Sequence, residues 1–423
     1  MNRIYFFTII ILLFYNCSNN DNSLNSEPIV LTDNIEAYNE DLIDDSLVLA
    51  VENGGNKAYL LNKLGEKTFE WFFDTRLGND LELLPDGRLI GIFKINEPDI
   101  GFGGYGGILK ILDSNSSVEW QYTYASSDYI AHHEVEMLPN GNILFLAWER
   151  LSAFEAQELG INTIVDIYPE ALIEMETQSN QIVWKWNSID HIIQDQFSTL
   201  PNYGNVSENP QLIDINYNLE ENGDIMHANG IDFDEERDVI FLSINGYNEI
   251  WAIDHSTSLT EVATNSGGNY DKGGNLLYRF GNPEAYQNTN GLRLFYNNHF
   301  PNLLENGVPG NGNMLVFVNK YNNMQQSVVY ELKIPELLSL NADINNEPQI
   351  VWEFTHPDLF YKIVSGAVRL NNGNTLICEG DYGFWEVTNE KEVVWKYNSK
   401  IQSSYWRGYN YNYDSDAIKN LGL

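Results

Sequence analysis

Cysteine is nearly absent: two in 423 residues, Cys17 and Cys378. Basic residues are scarce too, 23 Lys and Arg against 60 Asp and Glu, for a formal net charge of −37. A chain so acidic is repelled by nucleic acid and by anionic membrane surfaces, which excludes both as partners. An anionic ligand would need a local pocket of positive charge or hydrogen-bond donors. Long apolar runs are lacking except at the N-terminus, and that run, in "MNRIYFFTIIILLFYNC", is too short for a comfortable transmembrane helix. Convincing amphipathic helical periodicity is missing throughout.

The N-terminal run has one Arg ahead of it and Cys17 at its end, the layout of a secretory signal. With polar "SNNDN" following, it resembles a bacterial lipoprotein signal, although Asn16 stands where a small residue is usual. Residues 1–17 are therefore expected to be a signal ending at a lipidated Cys17. Residues 18–45, rich in Asn, Asp, Ser and Glu, are expected to be a flexible tether, and 46–423 the folded domain. This places the protein at the periplasm or cell surface, held to the outer membrane only by its lipid. Cys378 is then the only thiol left, and no intrachain disulfide can form.

Aromatics are abundant, with 25 Tyr, 20 Phe and 10 Trp, and they recur in register. Six short strands carry one in a fixed place: "EKTFEWFF" (Trp71), "NSSVEWQY" (Trp120), "NQIVWKWN" (Trp184), "GNLLYRFG" (Tyr278), "PQIVWEFT" (Trp352) and "KEVVWKYN" (Trp395). Another strand precedes each, as in "GILKILD" and "EIWAID", so each pair reads as a hairpin. A second phrase, a tight Gly turn followed by a hydrophobic strand, occurs in "LLPDGRLIGIF", "MLPNGNILFLA", "PGNGNMLVFV" and "RLNNGNTLICE". Six marked hairpins predict an all-β, six-bladed β-propeller. The markers are 43 (Trp352 to Trp395) to 94 (Trp184 to Tyr278) residues apart, so several blades carry long insertions. Residues scattered one set per blade can meet at the centre of such a ring.

Of seven histidines, three lie at comparable places of successive blades: His133 in "AHHEVEMLPNGNILFLA", His227 in "DIMHANGIDFDEERDVIFLSIN" and His299 in "NNHFPNLLENGVPGNGNMLVFV". Two residues after His227, Asn229 shares its strand face. Three imidazoles suit either zinc or nucleophilic and acid–base work. No close-spaced pair sits on one element, so no metal is expected. His132 competes with His133 for the inward face. His191, in an insertion, is expected to be exposed, His255 to belong to a hairpin turn and His356 to a loop. "GFGGYGG" (101–107) has no helix signal after it and reads as a flexible blade loop. "DEER" reads as a solvated turn.

The stretches "HANGIDFDEERDVIFLSINGYNEIWAIDHST", "GGNLLYRFGNPEAY" and "RLNNGNTLICEGDYGFWEVTNEKEVVWKYN" resemble the bacterial arylsulfate sulfotransferase family, from about His133 through "YWRGYNY". The resemblance implies a six-bladed propeller that moves a sulfuryl group from a phenolic sulfate to another phenol. It implies a transiently sulfated histidine, no nucleotide donor and no cofactor. By position it makes His299 the nucleophile, His227 and Asn229 the family's His-x-Asn pair, and His133 the histidine of the earlier blade. Two positions depart from the family. Asn245, 18 residues after His227, stands where the well-studied branch has a sulfate-holding Arg. Phe300 follows His299 where an acid is usual. Arg407 and Arg279, with Arg150, Lys320 and Arg369, are candidate replacement cations. The alternative is a non-catalytic surface propeller that binds an aromatic or glycan ligand. A quinone-dependent dehydrogenase propeller would call for calcium and cofactor, and nothing in the sequence asks for either.

Overall fold

Six antiparallel sheets stand in a ring, five of four strands and one of five, and the aromatic-marked hairpins form their outer parts. The structure is a computed structural model describing residues 29–400 and 404–423, of which Leu31–Leu423 form one compact unit. Cys17 and the signal lie outside the described residues. Blade 1 consists of Tyr405–Asn412, Ser46–Glu52, Lys57–Leu61 and Lys67–Phe72, from the centre outwards. Blades 2 to 6 begin at the centre with Leu77–Leu83, Tyr129–Met137, Ala228–Asp234, Asn298–Leu303 and Gly366–Arg369. Each of these inner strands touches the next round the ring.

Burial explains the repeat. The side chains of each sheet pack on the neighbouring sheet, giving one apolar core per seam. The marker aromatics Trp71, Trp184, Tyr278, Trp352 and Trp395 are buried in these seams, whereas Trp120 is partly exposed. Closure uses both chain ends. The last strand, Tyr405–Asn412, is the innermost of blade 1 and pairs with Ser46–Glu52. The expected tether is corrected here: Ile35–Tyr38 is a strand on the outer edge of blade 6, paired with Val393–Asn398. An open sheet edge leaves a row of unpaired backbone groups, and this segment covers it. Ile35, Tyr38 and Ile43 also pack against the seam between blades 6 and 1.

The longest insertion, between blades 3 and 4, folds over that seam with two short 3-10 helices and a two-stranded parallel pair, Ile192–Ile193 with Ile213–Asp214. His191 is buried within it, contrary to expectation. Its ring lies parallel to Trp186; one nitrogen donates to the Val262 carbonyl and the other meets the Asn275 side-chain amide, whose NH2 can donate to it, both at 2.9 Å. Every polar atom of that imidazole is satisfied, so the insertion can bury it.

Candidate active site

The inner strands do not run in clean register. Against its second strand, each but that of blade 6 slips at one point: at Gly78–Asp80, His133–Glu134, Asn229, Phe300 and Trp406–Arg407. Such bulges bend a strand and re-aim its side chains. His133, His227 and Phe300 have φ of 54°, 53° and 54°, left-handed values that cost a non-glycine residue about 1–3 kcal/mol each. The strain brings polar side chains from blades 3, 4, 5 and 1 to one place.

The rings of His133 and His227 meet with centroids 4.8 Å apart, nearly perpendicular. Trp148 and Trp406 each lie 5.8 Å from His133, making an aromatic surround. His227 Nδ1 is held by Asp224, three residues earlier. His133 Nδ1 is held by His132, whose other nitrogen is held by Glu170. Both His132 and His133 therefore belong to the site, one behind the other. Among the described residues, nothing hydrogen-bonds Nε2 of His133 or of His227.

His299 is fixed differently. Its Nδ1 is 2.7 Å from Asn319 Oδ1. The Asn319 amide nitrogen donates to the carbonyls of Tyr361 and Val364, so its oxygen must accept from the ring. His299 thus carries its proton on Nδ1 and its lone pair on Nε2. That lone pair accepts the Val364 N–H at 3.2 Å. Val364 has φ 51°, a strained value for a β-branched residue. Nucleophilic use of His299 requires this hydrogen bond to open.

The three imidazoles are tuned apart. Burial holds His299 down to about 3, with the charges of His227 and Arg407 adding to the effect. Burial, then the neighbouring His227, push His133 well below its ordinary value. His227 goes the other way: burial lowers it, but the Asp224 hydrogen bond and charge carry it above its ordinary value. Neutral, nucleophilic or basic imidazoles thus face one that favours the imidazolium.

Asn229 is fully buried and donates to the Asn298 carbonyl at 2.8 Å, which ties blade 4 to blade 5, while its Oδ1 has no partner. Asn245 joins the same network: its N–H bonds the His227 carbonyl at 3.2 Å and its amide reaches Asn297 and the Asn298 carbonyl. Arg407 is buried, bonded through two nitrogens to Glu134 and by Nη2 to the Asn229 carbonyl at 3.0 Å. Its guanidinium lies 3.9 Å over the Phe300 ring. The aromatic that replaces an acid after His299 is therefore a stacking surface for this cation.

Arg279 is not part of the site. It lies on the outermost strand of blade 4, where Glu249 takes it bidentately and the Pro210 and Leu212 carbonyls take the rest. Buried guanidinium needs such full pairing, and none of it faces the histidines. Arg150 pairs with Asp166 and Asp128 at the surface, and Arg369 with Glu331.

The glycine loop covers the histidines. Ile100 and Phe102 seat it, with Phe102 packed edge-on against Trp148 at 5.2 Å and Tyr168 at 5.0 Å. Gly104 accepts the His133 N–H at 2.9 Å and leaves no room for a side chain: a Cβ there would fall 2.2 Å from His133 Nε2.

The family model for arylsulfotransferase (ASST) matches residues 80–399. The chain belongs to the arylsulfotransferase family. No curated protein matches it. Solved structures similar to it include Kuenenia stuttgartiensis hydrazine synthase (13% identity, TM-score 0.38, 68% of each chain covered). The Cps50 (Swd1) β-propeller domain of Myceliophteria thermophila matches at 7% identity and TM-score 0.39, covering 88% of each chain. A hypothetical selenium-binding protein from Sulfolobus tokodaii matches at 13% identity and TM-score 0.39, covering 74% of this chain and 64% of that one.

Sequence reasoning named His133, His227, His299, Asn229, Asn245 and Arg407, and the structure brings these together. It missed Asp224, although "DIMH" displays it three residues before His227. It also missed Glu170, Glu134 and Asn319, which reach the site from other strands or blades and leave no local mark.

Proposed function

We propose that the protein transfers a sulfuryl group from a phenolic sulfate ester to another phenol through a sulfo-histidine at His299, without a nucleotide donor. The observation that carries this is the convergence of three imidazoles from blades 3, 4 and 5, with His133 and His227 ring to ring and His299 fixed by Asn319 with its lone pair on Nε2; the directions in which burial and Asp224 shift them agree with it. His299 Nε2, neutral and aimed by Asn319, attacks sulfur. The S–O bond to the donor phenol breaks, and the His227 imidazolium gives its proton to the departing phenoxide. The acceptor phenol then loses its proton to His133 Nε2 and its oxygen attacks the sulfur on His299, restoring the free imidazole; the proton gained on the His133 side returns to His227, whose ring lies 4.8 Å away, and resets the pair. The charge develops on peripheral sulfuryl oxygens, so positioning and preorganised positive charge supply most of the acceleration. The cations at hand are His227 and Arg407, the latter partly neutralised by Glu134.

The Val364 cap on His299 and the Asn at position 245 favour a second reading, a propeller that binds aromatic or glycan ligands without turnover. Incubation with a chromogenic aryl sulfate, with and without added phenol, separates the two. Phenol-dependent chromophore release, absent in His299→Ala, supports transfer; no release from a panel of donors by the folded protein supports binding. We also propose lipid anchoring through Cys17 at the outer membrane, which predicts incorporation of labelled fatty acid that Cys17→Ala abolishes. Among the described residues no helix is long and apolar enough to cross a membrane.

A further inference from the structure

His133 heads a chain of three buried groups linked by hydrogen bonds. His133 Nδ1 is 2.8 Å from His132 Nδ1, and His132 Nε2 is 2.8 Å from Glu170 Oε2. The other carboxylate oxygen, Oε1, accepts the Ala228 N–H at 2.7 Å and the Trp148 Nε1–H at 3.1 Å. The His132 ring is clamped parallel to Trp148, centroids 3.7 Å apart. All three groups are at most 3% exposed.

We infer that Glu170, His132 and His133 form a proton relay in which His133 Nε2 takes the acceptor phenol's proton and Glu170 stores its equivalent. The inference rests on the transferase reading for the identity of the proton donor, but the relay's wiring does not. An ionised Glu170 accepts from His132 Nε2–H, so His132 Nδ1 must be the acceptor of the pair and His133 Nδ1 the donor. His133 Nε2 then carries a lone pair; it lies against Gly104 of the covering loop, which must lift for a phenol to reach it. When Nε2 takes a proton, the Nδ1 proton of His133 passes to His132 Nδ1, and the Nε2 proton of His132 passes to Glu170 Oε2. Three N–H or O–H bonds form and the phenol O–H and two N–H bonds break. The product is a neutral buried carboxylic acid rather than an imidazolium beside His227, His299 and Arg407. Burial pushes Glu170 well above, and both histidines well below, their ordinary values, so a proton entering the chain settles on Glu170; the same burial means that the relay takes up a proton only on the alkaline side of that raised value, where Glu170 is ionised. Asp224 and His227 are the charged groups that face Glu170, Asp224 reinforcing the upward shift and His227 opposing it. Glu170 and His132 touch no substrate and are positioning residues.

Glu170→Gln makes the decisive variant. The two N–H donors on Oε1 pin the amide oxygen there, so the amide NH2 must face His132 Nε2. His132 then carries its proton on Nδ1 and forces His133 to carry its own on Nε2. The relay is locked in its loaded form with the fold's contacts kept. Long-range proton–nitrogen correlation spectra of the full-length protein labelled at histidine read this directly, with His133 assigned by its loss in His133→Gln. Across a pH titration the expected result in the wild type is an Nε2–H His133 while Glu170 is neutral and an Nδ1–H His133 once it ionises, and in Glu170→Gln an Nε2–H His133 at every pH. Transfer to phenols is expected to fall on the order of 10²–10⁴-fold in Glu170→Gln, with the loss shrinking for acceptors already ionised at the assay pH and donor KM unchanged. A merely structural role would lower all acceptors alike. Should Glu170→Gln fail to fold, His132→Gln cuts the chain and keeps the Glu170 contacts to Ala228 and Trp148; mixed His133 tautomers and the same acceptor dependence are expected. An unchanged His133 tautomer in a folded variant overturns the relay whether or not the wild type turns over. Absence of wild-type turnover with the tautomer inverted overturns the transferase reading alone.

Discussion

His227 and His133 stand ring to ring, 4.8 Å between centroids, yet one is held by a carboxylate directly and the other through a second imidazole. That difference sets their opposed charge states. Asp224 lifts His227 above its ordinary value, so the folded protein holds that proton more tightly than the unfolded chain. The linked stability is fully present below the unfolded pKa, about 6.5, and is lost as pH rises through the higher folded value. Activity that needs the His227 imidazolium follows the same limb. Asp224→Asn removes the main cause of the rise, so the alkaline limb of kcat/KM is expected to move to lower pH. His299, neutral down to about 3, sets no acid limb near neutrality. A pH profile on both proteins checks this; an unmoved alkaline limb would assign that limb to another group.

Arg407 and Glu134 form a buried pair at the centre of the ring. Removing one partner leaves the other charge buried without compensation, so Glu134→Ala is expected to cost about 3–5 kcal/mol. Asp80 is close enough to Arg407 to recover part of this, which places the effect nearer the lower figure. Urea unfolding measures it, and a loss under about 1 kcal/mol would mean that the pair is solvated.

Much of this architecture was legible because burial repeats. Each blade needs an apolar outer hairpin to fill a seam, so the aromatic recurs at Trp71, Trp120, Trp184, Tyr278, Trp352 and Trp395, and all six hairpins form where those residues predict. The tight Gly turns mark passage from first strand to second for the same reason of chain geometry. Ile35–Tyr38 was illegible because its strand exists only against a distant edge, Val393–Asn398. The site was half legible. Histidines are rare enough to stand out, but Glu170 and Asn319 act through the ring closure that brings strands of different sequence position together. Arg279 looked as available as Arg407, since nothing local reveals that Glu249 claims it.

Asn245 sits beside both His227 and the strand carrying His299. Arginine at this position would add a cation where the well-studied branch of the family carries one. Asn245→Arg is expected to lower KM for an aryl sulfate donor on the order of tenfold, equivalent to about 1.4 kcal/mol. Steady-state kinetics tests it. A raised KM with the fold retained would show that the anion is held elsewhere, with Arg407 the first residue to examine.

Gly104 and Gly141 share a backbone conformation, φ +83° and +84°, and differ in surroundings. A Cβ at Gly141 meets nothing within 4 Å, whereas one at Gly104 falls 2.2 Å from His133 Cε1 and Nε2. Alanine at either position pays the same left-handed strain, on the order of 1 kcal/mol, so the two variants should lose similar stability from the backbone alone. Only Gly104→Ala also drives a methyl group into the imidazole. Either the loop lifts or the His133 ring turns, and both break the geometry at Nε2. Turnover of an aryl sulfate with a phenol acceptor is therefore expected to fall at least about 10²-fold in Gly104→Ala and to stay within about twofold in Gly141→Ala. Equal activity in the two variants would mean that the loop lies away from the reacting groups when substrate is bound.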